Sequence, residues 1–278
     1  MSFRIQNNLA AMNTQNSLET SQTAMQKSLA RLSSGYRINS AKDDAAGLAI
    51  SQGFRANIAA TKVAQRNISE ANALLQTAEG AMTNIGDILT RMKELATQSA
   101  SANVSAEGRT NIKTEFIDLQ AEIDRIATST KYAGTSLTTG TFSGSAFQIG
   151  YTNSTTDSQI SVTIANIGTA STGINVASAD VSGATSALAA MATIDTAVAT
   201  LATARAKIGS YQNRLGYAAA NLSVTLENMS ASDSVIRDVD MAAEMTNFTK
   251  NQILVQAGTA MLAQANSAPQ QILSLLKG

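Results

Sequence analysis

The sequence of 278 residues contains no histidine, no cysteine and no tryptophan. Without histidine and cysteine, the chain cannot form a Ser-His-Asp triad, a thiolate nucleophile, or a metal site built on imidazole or sulfur. These absences exclude most hydrolase and metalloenzyme mechanisms. The absence of cysteine also excludes disulfides, so an extracellular location would require another source of stability.

Aromatic residues, charged residues and proline are also scarce. Aromatics make up 4% of the chain and charged residues 14%, against about 25% charged residues in an average globular protein. The small side chains that replace them each bury little area, which favours stabilisation by assembly. Because the sequence has a single proline, Pro269, the chain before it is free to form long helices.

Charge and hydropathy argue against two classes of partner. The 20 Lys and Arg residues balance 20 Asp and Glu residues, so the basic stripe that binds nucleic acid or an anionic membrane is missing. No run approaches the ~18 apolar residues of a membrane span. Polar residues follow Met1 to Leu9 where a secretory signal would be apolar. We therefore expect no nucleic-acid partner, no membrane span and no cleaved signal.

Periodicity predicts three long helices in the inner part of the chain. From Ile68 to Ala96 small or apolar residues recur at spacings of three and four, which is typical of a coiled-coil seam. A shorter line from Ile112 to Ile126 predicts an antiparallel partner across a small, polar turn. A third helix, long enough to lie along both, carries an apolar residue at every seventh position. We call these residues, before the line ends at Ile236, the core seam: Ile194, Leu201, Ile208, Leu215, Leu222 and Met229.

The two ends of the chain carry weaker stripes. The N-terminal stripe comprises Ala11, Leu18, Met25 and Leu32, with Leu29 and Tyr36 beside them. The C-terminal stripe comprises Met241, Met245, Phe248, Val255 and Leu262. A narrow apolar line among polar residues favours helices that pair with each other and with neighbouring molecules. An ordinary two-helix hairpin within one monomer is the alternative interpretation.

The middle of the chain changes character at Lys131. Glycine is frequent and charge is rare, so we expect no helix before about Thr185. Apolar residues alternate with others around Phe147 to Tyr151 and again from Ile160 to Ile164, with a polar stretch between them. This pattern predicts a β-hairpin.

The densest motif runs from Leu29 to Ser51, LARLSSGYRINSAKDDAAGLAIS. Gly35 is expected to end one helix, and Ser40 with Asp43 predicts a capping box for a helix starting at about Ala41, with Asp44 in its first turn. An acid/base pair formed by the two aspartates is the alternative, but adjacent residues of a helix do not face each other.

This motif resembles the N-terminal signature of bacterial flagellins. Residues 213–245 (NRLGYAAANLSVTLENMSASDSVIRDVDMAAEM) and 252–276 (QILVQAGTAMLAQANSAPQQILSLL) resemble the other end of that family, and FQIG at 147–150 is similar to its hairpin. The resemblance covers nearly the whole chain except about 134–146 and 151–185. Two long collinear motifs at opposite ends make it specific.

The resemblance implies a mainly α fold in which long antiparallel helices form a rod-like coiled-coil bundle with a small β-hairpin region. Residues 1–40 and 237–278 would pair as a discontinuous inner domain of N- and C-terminal helices. Residues 41–133 and 185–236 would form the helical rod, and residues 134–184 a short variable region.

The resemblance also implies a function, with no catalytic, cofactor or metal site. Such a subunit passes unfolded through the flagellar type III export channel, polymerises under a cap protein into the filament used for motility, and is thus secreted to the flagellum. Its ends would be disordered in the monomer and fold on assembly. The implied partners are further copies of the chain, an export chaperone, the cap protein and the hook-filament junction protein.

Two sets of site residues follow from the resemblance. Arg91, Leu95 and Glu115 match positions that contact the animal Toll-like receptor for flagellin, although they are also typical of solvated or subunit-contact faces. Leu273, Leu275 and Leu276 match the terminal leucines that bind the export chaperone, with a packed helix end as the alternative.

Three other functions are to be weighed against a filament subunit. A hook-filament junction protein resembles flagellin at both ends, although the full string from Arg37 to Ile50 favours flagellin. A zinc peptidase insert, as in some flagellins, would need histidines that the chain lacks. A surface flagellin homologue that binds polysaccharide would need an aromatic platform, for which only Phe142, Phe147 and Tyr151 are available.

Overall fold

The computed structural model describes the backbone of residues 7–277 and the side chains of residues 7–267. Over this part of the chain the helices are α1 (Leu9–Ser34), α2 (Ala45–Ala100), α3 (Ala106–Ser129), α4 (Ala184–Arg237) and α5 (Met241–Lys277). The strands are β1 (Lys131–Tyr132), β2 (Thr135–Ser136), β3 (Ser145–Gln148) and β4 (Gln159–Val162). The predicted mainly α class with a small hairpin is confirmed.

Local side-chain chemistry sets the helix ends. Asn8 caps α1 by accepting the Ala11 N–H, and Gly35 ends α1 with a φ of 75°. Ser105 caps α3 by accepting the Gly108 N–H.

The prediction that α2 starts at about Ala41 was wrong. Residues 41–43 form a turn, in which the Asp43 carboxylate accepts the Ser40 N–H at 3.3 Å. The helix begins at Ala45 because Asp44, which was expected inside its first turn, instead accepts the Gly47 N–H at 2.9 Å in the manner of an N-cap.

The chain divides into two compact units. One, the terminal unit, comprises residues 1–56 and 228–278, and the other, the central unit, comprises residues 57–227.

The central unit is built on antiparallel pairing of α2 with α4. The Gln65 amide donates to Ser223 Oγ at 3.1 Å, the Gln212 amide donates to Glu79 at 3.2 Å, and Lys93 pairs with Asp195. Residue numbers rise on α2 as they fall on α4, so the two helices run in opposite directions. Between them lies a continuous core in which Leu75, Met82 and Leu89 have no exposed surface.

Helix α3 adds a third layer to this core. Arg91 of α2 pairs with Glu115 of α3 at 2.9 Å, and the Arg109 guanidinium of α3 donates to the Ser99 carbonyl oxygen of α2 at 3.0 Å. These contacts make α2 and α3 an antiparallel pair, as predicted. Ile112, Phe116 and Ile123 of α3 are buried in the shared core.

The β-hairpin pairs Ser145 with Val162 and Gln148 with Gln159. The strand β3 lies two to three residues before the alternating run expected from Phe147 to Tyr151. Tyr151 lies outside the strand and is exposed, because the Ile149 and Gly150 N–H groups both turn onto the Ser158 carbonyl oxygen and end the ladder.

The segment after the hairpin is fastened to α3. The two carboxylate oxygens of Asp124 accept the Thr169 N–H and hydroxyl at 2.8 and 2.7 Å. The Gln120 amide donates to the Val176 carbonyl oxygen at 2.6 Å. A segment without regular structure is thereby held on the core by hydrogen bonds to its backbone, which satisfies groups that burial would otherwise leave unpaired.

The expectation that no segment is apolar enough to span a membrane needs a correction for α4. Among the described residues, α4 has an 18-residue window with a mean hydropathy of 1.5, long and apolar enough by composition to cross a bilayer. The same helix carries the core seam, and its residues Ile194, Leu201 and Ile208 are buried in the core of the central unit. One third of the window is buried in this way, and a core helix of this kind meets the same length and composition test as a membrane span.

Candidate assembly interface

Helices α1 and α5 of the terminal unit pair between the Asn8–Ala265 contact and the Arg31–Glu244 contact, and we call them the terminal helix pair. The Asn8 amide donates to the Ala265 carbonyl oxygen at 2.9 Å, while Arg31 lies 3.6 Å from the carboxylate of Glu244. A Cβ at Gly258 would lie 3.1 Å from Leu18 Cδ1, so the missing side chain permits close approach midway. The pairing of the N- and C-terminal helices is therefore antiparallel, as predicted.

The terminal helix pair buries little apolar surface for its length. Among the described side chains of α1 and α5, the fully buried ones are polar: Ser28 and Glu244. The apolar line of α1 (Ala11, Leu18, Met25 and Leu32) and of α5 (Phe248, Val255 and Leu262) is only half-buried. Within the described part of the terminal unit each helix of the pair packs against the other, and one such partner covers only part of an apolar stripe.

Many large apolar side chains of the terminal unit are exposed to solvent. We call them the exposed apolar set: Leu9, Met12, Leu29, Tyr36, Ile50, Val235, Met241, Met245, Ile253, Leu254 and Met261. Met241 and Met245 were predicted to lie on the C-terminal stripe. Each of them is 50% exposed, because Glu244 takes the position that faces α1. The apolar stripe predicted from the sequence did not include Ile253, Leu254 or Met261. The run of apolar residues at 253–255 could have indicated exposed apolar surface, since adjacent residues of a helix lie on different faces.

Part of this surface is a groove between the two helices. It has a volume of about 350 Å³ and is lined by Leu18 of α1 and by Leu254 and Met261 of α5, with small polar side chains beside them. Apolar surface of this kind is favourable to cover, at about 25 cal/mol per Å² removed from water.

The turn after α1 is joined to the end of α4 within the terminal unit. Tyr36 forms a β-bridge with Asp238, the Arg37 N–H donates to the Arg237 carbonyl oxygen at 2.6 Å, and the Arg37 guanidinium donates to Ile236 O at 2.7 Å. The Arg237 guanidinium lies 4.1 Å from the centre of the Tyr36 ring. The connections that follow α1 and precede α5 are thereby held together.

The two adjacent aspartates of the 40–44 turn have separate partners. Asp43 lies 3.0 Å from Lys27 and accepts the Ser40 hydroxyl at 3.1 Å, and these contacts lower the pKa of Asp43 from 3.8 to about 2. Asp44 instead caps α2 at Gly47, where a Cβ would lie 2.9 Å from Ile38 Cδ1. The two aspartates therefore stabilise a turn and a helix start, which is the role that the sequence pattern favoured over an acid/base pair.

The proposed receptor-contact residues differ in accessibility. Arg91 and Glu115 are about half exposed, with side-chain exposures of 50% and 46%. The hydrogen bonds that the Arg91 guanidinium donates to the carboxylates of Glu115 and then of Glu94 raise the pKa of Arg91. Leu95, in contrast, is 2% exposed and packs in the core. Its inclusion in a contact surface therefore needs correction, because its position on α2 points the side chain inward.

The remaining predicted residues fall in two places. Within the core seam, Ile194, Leu201, Ile208, Leu215 and Leu222 are buried, whereas Met229 is half-buried. The side chains of Leu273, Leu275 and Leu276 lie outside the described residues, although the backbone there is helical. In the described part of the chain no group of three or more acidic residues is placed to hold a metal ion.

Comparisons with known proteins agree with this architecture. Residues 5–143 match the family model of the bacterial flagellin N-terminal helical region, and residues 191–276 match that of the C-terminal helical region. Together the two regions cover more than half of the chain.

Curated relatives match along nearly the whole length. The chain is 40% identical to a flagellar filament 33 kDa core protein of Treponema phagedenis, covering 98% of this chain and 99% of the relative. It is also 40% identical to flagellin of Bacillus subtilis, covering 99% and 100%. Among solved structures, a Bacillus cereus flagellin crystal structure is 30% identical, with a TM-score of 0.49, and covers 60% of this chain and 94% of that one.

Proposed function

The chain belongs to the bacterial flagellin family and is a structural subunit of the flagellar filament, and on that premise we propose that its terminal helix pair is the surface through which it polymerises. The observation that carries the proposal is the exposed apolar set. Helices that leave their large apolar side chains in solvent gain stability when another molecule covers them. A second copy of the same chain is the occupant that the relatives' names as filament proteins favour.

Polymerisation through this pair is coupled to its folding. Each terminal helix has only a half-buried stripe and one partner, so little burial offsets the conformational entropy of ordering it. We expect the ends of the chain to gain helix as the filament forms. Contacts between copies that repeat without closing produce an open helical polymer, which fits a filament used for motility.

Export is the second part of the proposal. The subunit travels unfolded through the flagellar type III channel to the outside of the cell. A chain without cysteine forms no disulfide that would block threading, and helices without a complete core of their own are easily kept unfolded. The export chaperone binds the end that carries Leu273, Leu275 and Leu276, and the cap and hook-filament junction proteins contact the assembled chain.

Recognition by the animal Toll-like receptor is a third part. Arg91 and Glu115 form an exposed ion pair on α2 and α3 and offer charge to a partner. Leu95 is 2% exposed, and in this proposal it supports the surface from the core. Charge reversal at Glu115 would therefore weaken receptor activation, whereas Leu95→Met would leave activation unchanged.

Two matched variants test the polymerisation surface. Ile253 on α5 and Leu188 on α4 are about equally exposed, at 59% and 60%, but lie in the terminal and central units respectively. Ile253→Asp should stop elongation from filament seeds, because a carboxylate would have to be buried between copies. Leu188→Asp should elongate normally, and the readout is electron microscopy with sedimentation of polymer. Normal elongation of Ile253→Asp would contradict the proposal.

A further inference from the structure

The methionines of this chain are divided between two environments. In the central unit, Met82 and Met92 have no exposed surface, and Met191 is half-buried. Among the described residues of the terminal unit, four methionines are at least half exposed: Met12 (57%), Met241 (50%), Met245 (50%) and Met261 (61%), whereas Met25 and Met229 are half-buried. Among the described side chains, no methionine of the central unit is exposed to this degree.

We propose that Met12, Met241, Met245 and Met261 are sites of reversible oxidation to methionine sulfoxide, and that this modification holds the subunit in the unpolymerised state. The inference rests on the proposed role of the terminal helix pair in polymerisation. The oxidant is a peroxide such as hydrogen peroxide.

The chemistry requires only the side chain and the oxidant. A lone pair of the thioether sulfur attacks one peroxide oxygen, an S–O bond forms as the O–O bond breaks, and the second oxygen leaves as water. The sulfur loses two electrons and hydrogen peroxide gains two. Methionine sulfoxide reductases reverse the step, with one enzyme for each epimer and a thiol as the source of electrons.

Position decides what each oxidation does. At Met82 or Met92 a sulfoxide would disrupt the core of the central unit, but the oxidant cannot reach either sulfur in the folded protein. At the four exposed positions the polar oxygen is solvated, so the monomer tolerates it. The cost appears on assembly, because these side chains belong to the exposed apolar set and the sulfoxide must then be buried or left unpaired.

Met261 shows the effect most directly. It lines the groove between α1 and α5 together with Leu18 and Leu254. A sulfoxide there would place a strong hydrogen-bond acceptor in the apolar part of the surface that a neighbouring copy is expected to cover. Polymerisation would in turn protect the same sulfurs, so that only free subunits are modified.

The first experiment maps the oxidation sites. The full-length monomer is treated with hydrogen peroxide and digested, and sulfoxide at each methionine is quantified by peptide mass spectrometry, with assembled filaments treated in parallel. We expect Met12, Met241, Met245 and Met261 to be oxidised in the monomer and protected in the filament. Met82 and Met92 should stay reduced in both. Oxidation of Met82 and Met92 at the same rate as the other four would overturn the proposal.

The second experiment measures assembly. Oxidised monomer should need about a tenfold or higher concentration to elongate filament seeds. One buried polar group without a hydrogen-bond partner already weakens the affinity of one copy for the next by about that factor. Its thermal melting should be unchanged, and treatment with both sulfoxide reductases should restore assembly. An exposed-site variant with Met→Leu at positions 12, 241, 245 and 261 should elongate before and after peroxide, whereas Met82→Leu/Met92→Leu should remain sensitive.

The outcomes separate the two proposals. If oxidised wild-type monomer carries all four sulfoxides and assembles normally, the inference is overturned while the polymerisation surface stands. If peroxide blocks the exposed-site variant as strongly as the wild type, other residues are responsible and the inference is again overturned. If the exposed-site variant fails to assemble even without peroxide, the inference is tested by treating oxidised wild-type monomer with both reductases. Failure of this treatment to restore assembly overturns the inference. If untreated wild-type protein does not elongate seeds, the proposed function itself fails.

Discussion

The central unit and the terminal helix pair have the same apolar periodicity and opposite degrees of burial. In the central unit, α2 packs against both α3 and α4, and the apolar line from Ile68 to Ala96 is fully buried. In the terminal helix pair, each helix has one partner, and the stripe through Leu18 and Val255 is only half-buried. Heptad spacing thus tells which face of a helix packs, while the number of partners decides how completely it does so. The incomplete burial of apolar side chains in the terminal helix pair indicates the surface that further molecules would cover.

Removal of the terminal helices should have the largest effect on assembly. We expect deletion of Met1 to Ser34, or of Asp240 to Gly278, to abolish polymerisation and leave a folded, helical monomer. The central unit has its own core and should keep its thermal transition, since the buried residues described for that core all lie between Ala64 and Leu222. Circular dichroism follows the folding, and electron microscopy follows the filaments.

The same comparison predicts a spectroscopic change in the intact protein. Full-length monomer should gain helical circular dichroism on polymerising, and neither truncated form should show this gain. Filaments of normal appearance from either truncation would remove the terminal helices from the assembly surface. An unchanged spectrum of the intact protein would contradict the coupling of folding to assembly.

A cavity in the central unit should have the next largest effect, on stability. Leu215 has no exposed surface, and truncation of a buried leucine to alanine costs about 2–5 kcal/mol. That is a large share of the roughly 5–15 kcal/mol that stabilises a typical domain. Leu215→Ala should therefore lower the melting temperature of the monomer markedly.

The control for this variant lies on the hairpin loop of the same unit. Thr155 is exposed, and surface substitutions away from caps and cores usually change stability by less than about 0.5 kcal/mol. Thr155→Ala should leave both melting and filament formation unchanged. Equal melting temperatures of the two variants would show that the heptad line through Leu215 is not the core.

Much of the fold was predictable because its signals are local or strictly periodic. Gly35 as a helix end, the antiparallel pairing of α2 with α3 and the start of α4 at Ala184 follow from glycine chemistry and spacing. The start of α2 was not predictable, since Ser40 and Asp44 are both good caps and only the turn at 41–43 decides between them. For the assembly interface, the sequence indicates the N-terminal and C-terminal stripes. The structure adds exposed residues outside these stripes, such as Ile253.

Charge at the 40–44 turn should have the smallest effect. The Asp43 pKa is about 2 in the folded protein, against 3.8 for a free side chain, because the Lys27 ammonium and the Ser40 hydroxyl both hydrogen-bond to the ionised carboxylate. A lowered pKa means that ionised Asp43 stabilises the turn above about pH 4 and that this contribution is lost as the pH falls toward 2. The effect should be small, because an exposed ion pair is screened by water.

Hydrogen exchange at the Ser40 amide, whose N–H donates to Asp43, reports this contribution directly. Compared at the same pH, wild-type protein should protect this amide more than Asp43→Asn at about pH 5. The difference should shrink as the pH falls through the Asp43 pKa of about 2 and disappear once the carboxyl group is fully protonated. Asp87→Asn, at an exposed position of the central unit, should behave like the wild type throughout. A difference between wild type and Asp43→Asn that persists after the Asp43 carboxyl group is fully protonated would mean that the shape of the asparagine side chain, and not the charge of the carboxylate, sets the protection. The turn after α1 would then depend on hydrogen-bond geometry alone, and the ion pair with Lys27 would contribute nothing to holding the terminal unit together.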